Sequence, residues 1–338
     1  MSGDVTWREL TSQPDAWEAL IGSLQSGALS LPLDPAEFDE FVLLGSGSSY
    51  YLALAAADWM RRRGLNARAI PSCEAMLDPY ETAPLAARRL AIGFSRSGHS
   101  SELIIANRQL RQAGFNILGI SCTKGSDLLE QSDHGVLVSE GFEDGLVMLR
   151  SFSSMLLAAQ WLFGGAADRA ALADLPRIGR QILQRQSDIT ALAQQREFDR
   201  FVYLGSGPSY PLTREAALKV QEMAIATSEA YHSLDYRHGP KACADGNTAI
   251  TLFSLTDREL GLSLAKDIKA LGATLTVIGE DAGDYAEVAD MCIVTGMKDA
   301  AAASVAAMLP VQIFAFATAL RLGNDPDAPV NLSKVVVF

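Results

Sequence analysis

The sequence predicts an α/β protein built from two copies of one unit, each a parallel sheet flanked by helices. Three observations lead there. Residues 37–50, EFDEFVLLGSGSSY, return at 197–210 as EFDRFVYLGSGPSY, with eleven of fourteen positions identical at an offset of 160. Self-similarity at a fixed period marks duplicated structure. Each copy also reads as a short apolar run, a Gly-Ser-Gly turn and a stretch with helical spacing, the order expected where loops gather at strand ends. Finally, a chain of 338 residues suits two domains of about 150 residues each.

The elements follow in order. Residues 7–26 have helical spacing ahead of the first copy. The first copy then gives strand 41–44, helix 49–63, strands 67–71 and 90–94, helix 102–113, strands 117–120 and 135–138, and helix 151–163. Residues 164–190 are polar and helical and connect the halves. The second copy gives strand 201–204, helix 211–226, strand 249–253, helix 259–271, strands 274–278 and 291–294, and helix 300–322. These readings divide the chain into an N-terminal helical segment (1–35), a first domain (36–166), a connector (167–190), a second domain (191–322) and a tail (323–338).

Composition narrows the function. Lys plus Arg is 28 and Asp plus Glu is 40, a net charge of −12. Nucleic acid and anionic membrane would both be repelled, and Arg61-Arg62-Arg63 reads as a solvated helix end. A phosphorylated small molecule is not excluded, because one loop of backbone N–H groups can hold it locally. The N-terminus shows no signal-peptide pattern. The apolar stretch 300–319 is interrupted by Pro310 and Gln312 and reads as a buried helix rather than a membrane span. Cys73, Cys122, Cys243 and Cys292 have no CxxC spacing and read as reduced residues of a cytoplasmic protein. Four scattered histidines argue against a metal cage, and no cofactor is expected.

The two copies diverge after their central strands. The first has Ser95-Arg96-Ser97-Gly98-His99-Ser100-Ser101, and the second has Ser254-Leu255-Thr256-Asp257, which lacks the glycine and gains an acid. A glycine turn before a helix presents free N–H groups and the positive end of the helix dipole. Ser95, Ser97 and Ser100, with Ser49 from the neighbouring turn, would surround a phosphate there. Taken alone, such serines are better explained as turn residues and caps. Their loss from the sister copy favours a functional loop.

Glu215, Lys219 and Glu222 stand at i, i+4 and i+7, on one face of the helix that follows the second glycine turn. A solvated charge ladder has the same spacing, but this face lies beside strand ends where ligands bind. A carboxylate beside a lysine there can be tuned as a general base. His238, in Tyr236-Arg237-His238-Gly239-Pro240, sits in a tight turn, and Lys334 lies in the tail. By position alone both read as surface residues.

Taken together, the paired GSGxSY turns, the SxSGxS loop, Glu-x3-Lys-x2-Glu, RHGP and the terminal Asn331-Leu332-Ser333-Lys334 resemble the tandem SIS (sugar isomerase) family over nearly the whole chain. The likeness is to the isomerase half of glucosamine-6-phosphate synthase, to isomerising amino-sugar-6-phosphate deaminases and to tagatose-6-phosphate ketose/aldose isomerases. It implies two three-layer αβα, flavodoxin-like domains. It also implies phosphate contacts by Ser49, Ser95, Arg96, Ser97 and Ser100, and weaker substrate contacts by Gly47, Ser48 and Glu143. Glu222 is implied as the base moving a proton between sugar C1 and C2, supported by Glu215 and Lys219. His238 is implied to open the sugar ring, supplied across a homodimer interface, and Lys334 to form a Schiff base with the open-chain ketose.

Aldose–ketose exchange suits these residue types. One carboxylate can reach both carbons, an imine acidifies the adjacent C–H, and histidine is an acid/base near neutral pH. The synthase's glutaminase domain is not in this sequence, Arg96 replaces the synthase glutamine, and residues 143–154 differ from the synthase's substrate loop. The expectation is an isomerising deaminase of a glucosamine-6-phosphate or galactosamine-6-phosphate type. A tagatose-6-phosphate-type isomerase and a fructosamine-6-phosphate deglycase are alternatives, and a catalytically silent sugar-phosphate sensor is an alternative of another class.

Overall fold

The structure, a computed structural model, describes residues 2–78, 83, 85–254 and 256–338; Met1 and Leu255 lie outside the described residues. It contains the two parallel sheets that the repeat predicts. The first joins β1 (Glu40–Gly45), β2 (Ala67–Pro71), β3 (Arg89–Ser95), β4 (Asn116–Ser121) and β5 (His134–Leu137) in the order β2-β1-β3-β4-β5. The second joins β6 (Arg200–Gly205), β7 (Ser228–His232), β8 (Thr248–Phe253), β9 (Thr274–Gly279) and β10 (Met291–Val294) in the order β10-β9-β8-β6-β7. Read from its other end, the second order is the first repeated. In each sheet the order reverses beside the strand that opens the unit, which is where ligands bind in such folds.

The chain forms two compact units. One is residues 12–176 with 333–338; the other is residues 177–332 with the N-terminal segment through Thr11. In the first unit, β1 is buried along its whole length, as a parallel strand covered on both faces must be. Its last residue, Gly45, admits no side chain, because a Cβ there would stand 2.3 Å from the carbonyl carbon of Ser49. The turn can therefore fold straight back into helix Ser48–Arg62. That helix and helix Gln13–Gln25 pack on helix Arg150–Phe163, where Trp17 Nε1 donates to Ser153 Oγ at 2.9 Å.

The core of the second unit is helix Ala300–Arg321, buried without interruption from Ala301 to Ala319. It is long and apolar enough to cross a membrane, yet 94% of its most apolar window is buried in protein, as its reading as a core helix requires. Asp299 caps it by accepting from the backbone N–H groups of Ala301 and Ala302. Helix Asp4–Thr11 is tied to the same unit, with Val5 N and Thr6 N donating to the Asp327 carboxylate at 2.9 and 2.7 Å.

Four elements differ from expectation. Residues 7–26 form two helices, Asp4–Thr11 and Gln13–Gln25, and the second begins around Pro14, whose ring cannot continue a helix from the preceding turn. Strand β7 and helix Ser72–Leu77 were not expected. Strand β7, Ser-Glu-Ala-Tyr-His, lies at a sheet edge and is only partly buried, so it lacks the apolar run of an inner strand. The expected helix 211–226 is an α-helix only over Tyr210–Lys219. It continues as one π turn, Val220–Ala224, and stops at Ile225, whose φ of 52° is left-handed.

Candidate active site

In the first unit the serine loop joins β3 to helix Ser101–Gln112. Gly98 turns the chain with φ of 68°, and a Cβ there would meet Ser126 Oγ at 2.2 Å, so the tight turn needs glycine. Ser95 Oγ accepts from Gly98 N at 3.0 Å and Ser97 Oγ accepts from His99 N at 3.2 Å. Ser100 stands at the N-cap without a side-chain cap bond, its Oγ 3.4 Å from that of Ser95. Capping therefore does not account for Ser100. The first helical N–H, of Ser101, donates instead to the carbonyl of Val336 in the tail, and Phe338 N donates to Ser101 Oγ.

Ser48 and Ser49, nearly buried, open helix Ser48–Arg62 behind Gly47 (φ 55°). Ser49 Oγ faces Met148 Sδ at 3.7 Å, which brings the loop after β5 to the same end of the sheet. In that loop the Glu143 carboxylate is buried and fully engaged. It accepts from Leu149 N (2.8 Å), Ser151 N (3.1 Å) and Ser151 Oγ (2.5 Å), closing the N-terminus of helix Arg150–Phe163. Arg96 lies beside it, 7% exposed, with Nη1 3.6 Å from Glu143 Oε2. The guanidinium also donates to the carbonyls of Gly145 and Lys334, both at 3.2 Å. Lys334 Nζ donates to the carbonyls of Glu143 (2.8 Å) and Asp144 (2.9 Å).

The first unit thus brings together Gly47, Ser48, Ser49, Ser95, Arg96, Ser97, Ser100, Glu143 and Lys334. That Lys334 belongs with this unit was not readable from a tail 238 residues beyond Arg96 in the chain. The carbonyls of Asp144, Gly145 and Val336 carry no side-chain signal at all, since any residue type presents one.

In the second unit, the triad forms as its spacing predicts. Lys219 Nζ lies 3.2 Å from Glu215 Oε1 and 2.5 Å from Glu222 Oε2. Lys219 and Glu215 have no exposure, whereas Glu222 retains 16%. Burial alone would lower the Lys219 pKa, but the charges and hydrogen bonds of both carboxylates outweigh it and raise the pKa above its ordinary value. The lysine is thus held as a cation between two carboxylates, and of the three side chains only Glu222 has access to solvent. Glu222 sits in the π turn, which Asn324 Nδ2 holds by donating to Ala224 O at 2.7 Å.

His238 is exposed at the end of the turn Asp235–His238, before Gly239 with φ of 142°. Arg237 anchors that turn through Asp267 Oδ2 (3.0 Å) and Ser263 Oγ (2.9 Å). Among the described residues, His238 stands apart from the hydrogen bonds of the triad. The sister loop, with Ser254, Thr256 and Asp257, ends in an acid that caps its own helix through Leu260 N at 3.0 Å, so the helix terminus it precedes is already answered by a negative charge.

Known proteins resemble this chain in sequence and in fold. Residues 38–164 match the SIS domain. The glutamine–fructose-6-phosphate aminotransferase (isomerizing) of Brucella abortus is 27% identical over 325 residues, which cover 91% of this chain and 53% of that protein. The enzyme of the same name from Mesorhizobium japonicum is 28% identical, over 92% and 54%. The chain spans about half the length of these curated relatives. Among solved structures, glucosamine-6-phosphate deaminase from Thermotoga maritima superposes with a TM-score of 0.81 at 28% identity, covering 99% of this chain and 100% of that one. Tagatose-6-phosphate ketose/aldose isomerase from Escherichia coli has the same fold, with a TM-score of 0.87 at 24% identity, covering 99% and 96%.

Proposed function

We propose, from the match of residues 38–164 to the SIS domain, that this chain is an isomerising deaminase of an amino-sugar 6-phosphate. The observation that carries the reading is the triad: a partly exposed carboxylate, Glu222, fixed by a fully buried ammonium that shares its charge with Glu215. This is the equipment of a single positioned base.

In this reading Ser49, Ser95, Ser97 and Ser100, at the positive end of helix Ser101–Gln112, hold the 6-phosphate. His238 opens the sugar ring, acting in the reaction of a partner copy. Glu222 takes the proton from C2 of the open-chain aldose, and the electron pair forms an enolamine as the C1 oxygen gains, through water, a proton balanced by the one the C2 nitrogen later releases. The same carboxylic acid returns the proton to C1, leaving a C2 imine. The neutral amine of Lys334 attacks C2, ammonia departs, and water hydrolyses the resulting ketimine to the ketose phosphate and free lysine. The 28% identity with a glucosamine-6-phosphate deaminase over the whole chain supports deamination. Arg96 in the serine loop favours a second reading, a ketose/aldose isomerase of the tagatose-6-phosphate type, in which no amine is released.

An ammonia-release assay over glucosamine 6-phosphate and galactosamine 6-phosphate, with products identified by NMR, tests this. Ammonia with fructose or tagatose 6-phosphate is expected. Glu222→Gln should lower turnover by at least about a thousandfold, within the range general-base groups supply, while leaving sugar-phosphate binding within threefold. Interconversion of unaminated sugar phosphates without ammonia would replace the deaminase by the isomerase. Activity only on a 6-phosphofructosyl amino acid would make it a deglycase, and binding without turnover a sensor.

A further inference from the structure

We propose that Arg96 is a positioning residue that fixes the amine of Lys334, and not a ligand of the substrate phosphate. The proposal rests on the reading of Lys334 as the imine-forming amine. Its geometric basis is independent of that chemistry.

The two ends of Lys334 are held against one three-residue segment. Its Nζ donates to the carbonyls of Glu143 and Asp144, and its own carbonyl accepts from Arg96 Nη2. Arg96 Nη1 donates to the carbonyl of the third residue, Gly145. The same guanidinium faces the Glu143 carboxylate, which is locked by three further hydrogen bonds to the start of helix Arg150–Phe163. Arginine has five N–H donors in a rigid plane and no acceptor. Here both terminal nitrogens already have oxygen partners, and the group is nearly buried. A phosphate would have to compete with a buried carboxylate for it. The serines of the loop carry no charge, and because Ser95 and Ser97 accept from the backbone N–H groups of Gly98 and His99, their hydroxyl protons are left to donate.

Residues 143–145, 96 and 334 therefore form one closed set in which the guanidinium is the hub. Lysine at position 96 would be a single point charge and could not span Gly145, Glu143 and Lys334 together. A neutral glutamine leaves Glu143 buried and unpaired.

The test compares wild type with Arg96→Gln, and with Arg96→Gln/Glu143→Gln, which removes both charges and so avoids the unpaired carboxylate. The first readout is acylation of Lys334 by an N-hydroxysuccinimide ester in the resting protein, followed by peptide mass spectrometry. The rate should rise at least fivefold in both variants, including the double variant where folding is restored. The second is borohydride trapping of Lys334 with fructose 6-phosphate, which should fall at least tenfold in both. The third is competitive inhibition by inorganic phosphate, which should stay within twofold. Weaker phosphate inhibition with unchanged acylation would make Arg96 a phosphate ligand and overturn the proposal. Recovery of wild-type acylation and trapping in the double variant would reduce Arg96 to a fold-stabilising partner and overturn it as well. Faster acylation in the variants, with no adduct trapped even in wild type, would uphold the positioning of Lys334 while sinking its role as imine former.

Discussion

Lys219 is a cation with no solvent exposure, placed between two carboxylates. Because its folded pKa is raised, the stability it contributes is complete below the ordinary lysine value of about 10.4 and is lost as pH rises through the folded value. Removing it strands Glu215 and Glu222, so Lys219→Met should cost about 3–5 kcal/mol at neutral pH. In urea titrations the gap between wild type and variant should be flat from about pH 7 to 10 and narrow only at more alkaline pH. A gap that already closes near neutrality would mean that the lysine is not the protonated centre of the triad. The spacing Glu215, Lys219, Glu222 was legible in the sequence because helix periodicity is local. That two of the three are fully buried was not, since a solvated ladder has the same letters.

At the scale of elements, the strongly buried strands are the legible ones. Strands β1, β3, β6 and β8 are continuous apolar runs, and each is where the residue pattern puts it. Strand β7 has no such run, because an edge position asks for none. The π turn Val220–Ala224 was equally hidden, since its residues are ordinary helix formers; its structural mark is Ile225, a β-branched residue with positive φ. Left-handed backbone costs such a residue about 1–2 kcal/mol, and Ile225 is 44% exposed, so little packing offsets it. Replacing it with asparagine, which tolerates that conformation, should stabilise the protein by about 1 kcal/mol. A lower urea midpoint for Ile225→Asn would show that its side-chain packing outweighs the strain.

At the scale of the whole molecule, the proposed sharing of His238 between copies has a numerical signature. Glu222→Gln and His238→Ala proteins should each be inactive alone. If the histidine acts in the partner's reaction, a mixed dimer carries one doubly lesioned centre and one intact centre. Co-refolding equal amounts should then recover about a quarter of wild-type activity, half the dimers being mixed and half their centres intact. No recovery would place His238 in its own copy's reaction.

The duplication that the sequence displays so plainly did not leave two consecutive beads. The chain passes between its compact units after Thr11, after Pro176 and after Leu332, so each unit is assembled from two separate stretches. A gene cut at the midpoint would yield one product lacking the Asp4–Thr11 helix that Asp327 holds. The other would lack the Lys334 segment that Arg96 holds. Each half would thus be missing a strap of its own unit, and mixing the two products would have to restore both.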